Sequence, residues 1–149
     1  MTQHEIWMQY ALREAGKAYE KDEVPLGAVV VFENRIIGKG YNQVESLRDP
    51  TAHAEIIAIT SAAEYLSSKV LLGCSMYVTL EPCSMCAGAI VLAKMENLYF
   101  GAFDNKSGAC GSVLNITNNS SLNHRLNVTG GILDAQCGEI LRSFFEVKR

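Results

Sequence analysis

The sequence predicts an α/β protein of three layers, with a central five-stranded mixed sheet and helices on both of its faces. Three observations carry this. Apolar residues switch between helical and strand-like patterns in the order α-β-β-α-β-α-β-β-α. The 149 residues suit one domain over 1–149, large enough to bury roughly two-thirds of its unfolded surface. No repeat, low-complexity tract or linker interrupts the alternation, so the strands are expected to share one sheet. An antiparallel hairpin starts that sheet, and β-α-β crossovers add strands in parallel.

From Glu5 to Ala18, the residues Ile6, Trp7, Tyr10, Ala11, Ala15 and Ala18 recur at helical spacing, which predicts an amphipathic helix. "VPLG" breaks it. "GAVVVF" and "RIIGKGYN" read as two strands joined by a tight turn at Glu33–Asn34. "DPT" precedes a second helix, expected to bury Ile56, Ile59, Ala63 and Leu66. "CSMYVTL" is a third strand, "CSMCAGAIVLAKM" a mostly buried helix and "NLYFGAF" a fourth strand. The stretch from Asp104 to Asn123 is rich in Gly, Asn and Ser and reads as loop. "RLNVTG" supplies a short fifth strand, and a last helix from Asp134 carries Ile140, Leu141, Phe144 and Phe145.

Composition narrows the function classes. No apolar run approaches the roughly 18 residues of a membrane span, and the N-terminus lacks the basic and apolar regions of a secretion signal. A cytoplasmic protein with reduced thiols is therefore expected. Five cysteines make an odd and poor disulfide framework, so a close pair points to metal binding or catalysis. A net charge of −3 argues against broad nucleic-acid binding. It leaves room for a local basic rim, because Lys106, His124, Arg125, Arg142, Lys148 and Arg149 crowd the last third.

Within "TLEPCSMC", Cys83 and Cys86 have the spacing of a redox pair, of half a structural zinc knot, or of part of a catalytic site. A third group decides among these, and "TAHAE" offers one. His53 opens the second helix and the cysteines open the third, so both N-termini can converge at one sheet edge. Residues at i and i+3 share a helix face, and a helix N-terminus favours thiolate. Pro82 suits the first helical turn, which has no use for its missing N–H. One imidazole and two thiolates make three zinc ligands, the count of a catalytic site that leaves its fourth place to water. Cys74, Cys110 and Cys137 have no partner at ligand spacing and read as buried small hydrophobes. Glu55 then has a task as general base and general acid beside a water acidified towards about pH 7. The bland reading of Glu55 is a carboxylate that complements the helix dipole.

H-x-E followed by P-C-x-x-C is the signature of the zinc nucleobase deaminases, and this sequence resembles that cytidine deaminase-like superfamily. Within it, "VPLGAVVV", Asn42, "DPTAHAEI", "YVTLEPCSMCAGAI", "YFGAFDNKSGACGS", "NHRLNVTGGIL" and "LRSFFEVKR" resemble the bacterial tRNA-specific adenosine deaminases, in family order over nearly the whole chain. The resemblance implies a cytidine deaminase-like fold and one zinc per subunit, held by His53, Cys83 and Cys86, with Glu55 shuttling protons. By the same resemblance, water is expected to attack C6 of adenine, ammonia to leave, and inosine to form at the wobble position of a tRNA anticodon stem-loop. It further implies Asn42 bonded to the target nucleotide, Leu26 and Ala28 lining the pocket, and Asp104, Lys106 and Asn123 contacting nearby nucleotides. A homodimer without membrane association is the family expectation. Phe144 and Phe145 are adjacent on a helix and so point about 100° apart; one is free to stack on a base, unless both pack at an edge. Arg142, Lys148 and Arg149 form the expected phosphate-facing rim. Two alternatives remain open: a free-base or nucleoside deaminase acting on guanine or cytidine, and a zinc-stabilised binding module without catalysis.

Overall fold

A computed structural model describes residues 1–147; Lys148 and Arg149, two of the expected rim residues, lie outside the described residues. The elements are α1 (Gln3–Glu20), β1 (Gly27–Phe32), β2 (Arg35–Tyr41), α2 (Val44–Leu47), α3 (Ala54–Leu66), β3 (Ser75–Leu80), α4 (Ser84–Leu92), β4 (Asn97–Ala102), β5 (Asn127–Thr129) and α5 (Asp134–Val147). Only α2 is additional to the expected order. One turn of helix is too short for a periodic signal.

Local chemistry sets the boundaries. Thr2 and Glu5 form a capping box at the start of α1, each side chain accepting from the other's backbone N–H at 3.1 and 2.8 Å. The β1–β2 turn places Glu33 (φ 49°) and Asn34 (φ 61°) in the left-handed region, as a two-residue hairpin of matching twist requires. Along β1, side chains alternate between two cores. Ala28 and Val30 pack with α3 and α4, while Val29 and Val31 pack with α1 and α5. The described helices thus cover both faces of a five-stranded mixed sheet.

The sheet order is β2-β1-β3-β4-β5. The expected parallel additions hold for β3–β4 and β4–β5. Where β3 joins the hairpin its direct neighbour is β1, which is antiparallel to both β2 and β3. The α3 crossover passes over β1, so β2 and β3 run in one direction with β1 between them.

The buried stripe of α3 also differs from the expected one. Ala54, Ala58 and Ala62 face the sheet, while Ile59, Ala63 and Leu66 pack only partly along the flank and Ile56 is half-buried. Close approach of the backbones is the reason. A Cβ at Gly40 would stand 2.3 Å from the Ala54 carbonyl oxygen, and one at Gly38 would stand 2.6 Å from that of Ala58. Two glycines on the strand and small residues on the helix let α3 sit this low.

The ends of β2, β3 and β4 and the start of β1 share one edge, where open α/β sheets bind their ligands. Buried Glu23 braces the segment after β2. It accepts from the backbone N–H of Glu45 at 3.0 Å, from that of Ser46 at 2.6 Å and from the Ser46 hydroxyl at 2.6 Å. Burial would raise this carboxyl, but those donors outweigh it and hold Glu23 below its ordinary pKa. A depressed pKa contributes stability above the ordinary carboxylate value that is lost as pH falls through the folded one. The melting-temperature gap between the wild type and Glu23→Gln is expected to be full at pH 7 and to shrink below about pH 4. A gap constant down to pH 3 assigns the effect to packing instead.

Candidate active site

His53 is the N-cap of α3 and Cys83 the N-cap of α4, both in extended backbone and neither bonding its helix through its side chain. Ser, Thr, Asp or Asn at such a position would contribute about 1 kcal/mol through a cap bond. Forgoing it at two neighbouring helices frees the imidazole and the thiol to face each other. Local preference set aside in this way marks functional positions.

The His53 Nδ1 atom lies 3.7 Å from Cys83 Sγ and 3.5 Å from Cys86 Sγ, and the three donor atoms all fall within 4.8 Å of one another. Bonds of about 2.0–2.1 Å to nitrogen and about 2.3 Å to sulfur, arranged tetrahedrally, hold N and S about 3.5–3.6 Å apart. The spacing therefore fits a tetrahedral zinc ion with three protein donors. Among the described residues, no other group of His, Cys, Asp and Glu converges in this way. Cys74, Cys110 and Cys137 are buried outside the cluster, and burial pushes them up to about 11, 12 and 12. They are thiols in the core, and none supplies a fourth ligand.

Charge in the cluster points the same way. A hydrogen bond from Cys86 lowers Cys83 to about 5 against its burial, with His53 adding to the shift. Cys86 is pushed up by the same bond, by burial and by the nearby Glu55 and Cys83. Two thiolates and a carboxylate cannot all ionise here unless a cation joins them.

Glu55 lies in the first turn of α3 and is only 4% exposed. Its Oε1 atom is buried without a hydrogen-bond partner. Burial raises the carboxyl to about 7, with Cys83 adding to the shift and His53 opposing it. Beside it is a cavity of about 140 Å³ lined by Leu26, His53, Glu55, Val78, Leu80, Glu81, Cys83, Asp104 and Ser107. Drug-sized sites run to about 300–1,000 Å³. This one has room for a single base and little more.

The remaining expected residues divide. Leu26 and Asp104 stand in the cavity wall. Ala28 does not; it is fully buried in the core between the sheet and α3. Asn42 borders a neighbouring open groove of about 790 Å³ with Val24, Val44, Phe144 and Phe145. Its Oδ1 is buried and unpartnered, and its N–H donates to the Leu26 carbonyl at 3.1 Å, tying groove to cavity. The Asp104 carboxylate already accepts from the N–H groups of Lys106 and Ser107 and from the Ser107 hydroxyl. The Lys106 side chain is exposed and outside the cavity wall. Asn123 is exposed and accepts from Lys94 at 3.3 Å, also away from that wall. The two phenylalanines separate: Phe144 is 6% exposed and edge-on to Tyr19, while Phe145 is 50% exposed. Val78, Leu80, Glu81 and Ser107 were not expected in the wall. Apolar strand ends give no sequence signal for a ligand, but the place of Glu81 directly before Pro82–Cys83 does.

An H-x-E segment and a P-C-x-x-C segment that meet in a three-donor cluster beside a base-sized cavity define a nucleobase deaminase. The chain belongs to the MafB19-like deaminase family, whose model matches residues 2–149. It is 45% identical over 149 residues to the tRNA-specific adenosine deaminase of Bacillus subtilis, covering 100% of this chain and 92% of that protein. Against the enzyme of that name from Aquifex aeolicus, identity is 48% over 145 residues, or 97% and 95% of the two chains. A solved structure from studies of A-to-I editing by tRNA:A34 deaminases superposes with a TM-score of 0.88 at 44% identity, over 91% of this chain and 99% of that one. Its cytidine deaminase-like fold is the fold of this chain. A guanine deaminase from Nitrosomonas europaea also superposes, with a TM-score of 0.84 at 26% identity over 97% and 85% of the chains. Enzymes for different bases thus share the scaffold, and the base is chosen by the walls.

Proposed function

We propose that this chain is a zinc-dependent tRNA adenosine deaminase, converting adenosine to inosine at the wobble position of an anticodon loop. The observation that carries the chemistry is buried Glu55, whose unpartnered Oε1 stands beside both the His53–Cys83–Cys86 cluster and a cavity sized for one base. The substrate rests on full-length likeness, at 45% and 48% identity, to enzymes named for it; guanine deaminase likeness at 26% supports the free-base alternative less well.

His53, Cys83 and Cys86 are the residues that would hold zinc, one ion per subunit. When bound, zinc supplies a nucleophilic water acidified towards about pH 7. Glu55 Oε1 takes one proton from the attacking water and gives it to the ring nitrogen, then takes the remaining proton of the new hydroxyl and gives it to the departing amine. Oxygen replaces nitrogen at C6, and ammonia leaves. Leu26, Val78 and Leu80 hold the flipped base and keep bulk water out. Only the base fits the cavity, so flanking nucleotides must lie in the adjoining groove. There Asn42 offers its amide and Phe145 a stacking face, while Phe144 anchors α5 beneath it. Asp104, Lys106 and Asn123 contact neighbouring nucleotides in this reading, the last two from outside the cavity. A homodimer in the cytoplasm completes the proposal, with Leu92, Phe103, Val113 and Leu114 exposed as apolar surface. Among the described residues, no helix is long and apolar enough to cross a membrane.

The test is inosine formation by the zinc-loaded protein on an anticodon stem-loop with adenosine at the wobble position, beside free adenine, guanine and cytidine. Conversion of the stem-loop alone is expected. Deamination of a free base with the RNA untouched overturns the substrate.

A further inference from the structure

Glu81 follows β3 and directly precedes Pro82–Cys83, yet its carboxylate serves neither segment. It is 2% exposed. Its Oε1 accepts from the N–H of Asp104 at 3.1 Å and from the Ser112 hydroxyl at 2.5 Å. Its Oε2 accepts from the N–H groups of Cys110 at 3.1 Å and Ser112 at 3.0 Å. Each of these bonds reaches the loop after β4. The Ala109 N–H adds a 2.8 Å bond to the Pro82 carbonyl, fastening the same loop to the segment that carries Cys83. Gly108 lies against the carboxyl group, where a Cβ would come 2.4 Å from Glu81 Cδ.

The chemistry of this junction requires a carboxylate. Four donors converge on it, and an ionised carboxylate is acceptor-only with about four lone-pair sites. Glutamine in its place would turn an NH2 group towards two of those donors. The loop it holds has little periodic structure of its own, and it carries Asp104 and Ser107 into the cavity wall. We propose that Glu81 is a positioning residue, locking loop 104–112 against the Cys83 segment so that the wall supplied by Asp104 and Ser107 fits one base. The inference rests on the deaminase reading for its assay; the bracing itself is independent of which base is taken.

The test uses the full-length zinc-loaded protein, with Glu81→Gln and Ser112→Ala compared to the wild type in steady-state kinetics on the stem-loop and in zinc content. For Glu81→Gln, KM is expected to rise about tenfold while kcat changes less than about threefold. Zinc content should stay at the wild-type level, because Glu81 bonds none of the three donors. Ser112→Ala keeps the carboxylate and loses one bond, so KM should move the same way by less. A merely structural role would cut the active fraction, lowering kcat at constant KM, and that pattern overturns the proposal. Should Glu81→Gln fail to fold, Ser112→Ala decides alone, and an unchanged KM overturns it. If the wild type converts a free base and not the stem-loop, the substrate reading has failed; the same comparison with that base still tests Glu81.

Discussion

Replacing Glu55 with glutamine is expected to leave zinc in place and to lower kcat by about 10²–10⁴-fold, the usual contribution of a positioned acid–base group. The argument starts from cost. A buried carboxylate oxygen without a partner forfeits a few kcal/mol, and two other buried carboxylates of this fold are fully supplied with donors. Glu23 has three donors and Glu81 four. Glu55, no more exposed than they are by more than a few per cent, keeps Oε1 empty beside the base-sized cavity. An oxygen left unsatisfied where its neighbours are saturated is being kept for a group that arrives later. Glutamine matches the shape and removes the charge, so melting temperature should be unchanged or higher while turnover is lost. Zinc content, melting temperature and kcat measured on one preparation separate these effects. Near-normal turnover would sink the proton-shuttle reading and leave Glu55 as a carboxylate that complements the dipole of α3.

What the chain discloses on its own follows the range of each interaction. His53, Glu55, Cys83 and Cys86 were legible because their chemistry needs residue types at short, fixed spacings, and the placement of His53 and Cys83 at helix N-termini follows from local pattern. The hairpin was legible from its turn. Depth was not. The family resemblance implies Ala28 in the pocket wall, but Gly38 and Gly40 draw α3 down over that face and cover it. Periodicity assigned the stripe of α3 to its larger apolar residues, whereas the close packing that those same glycines allow selects its alanines. Phe144 and Phe145 were equivalent as letters, and only the position of Tyr19 on α1 distinguishes them. The place of Glu81 before Pro82–Cys83 hints at a role but not at which one, because its partners lie 23 to 31 residues away in a loop without a pattern. A carboxylate that bonds backbone N–H groups leaves no complementary residue type in the sequence.

Stripping the metal is expected to reduce turnover to background, with activity returning on addition of zinc to the wild type but not to Cys86→Ala. Cys86 is fully buried and 3.5 Å from His53 Nδ1. Its loss leaves two donors where a catalytic zinc takes three from the protein. The informative comparison is between activity and fold. A closed structural zinc site supplies the folding free energy of the elements it joins, so chelation would unfold them. Here α3 and α4 are seated by their own apolar faces, with Ala54, Ala58 and Ala62 on one and Ala87, Ile90 and Val91 on the other packed in the core above the sheet. Helical circular dichroism should therefore survive chelation at room temperature. The unfolding free energy should fall by no more than the linkage term, about 4 kcal/mol for an ion at a thousand times its Kd. Loss of helix together with activity would make the cluster a structural knot, and turnover that persists without metal would remove zinc from the reaction. Retained helix with lost turnover is the outcome that three donors and an unsatisfied carboxylate require.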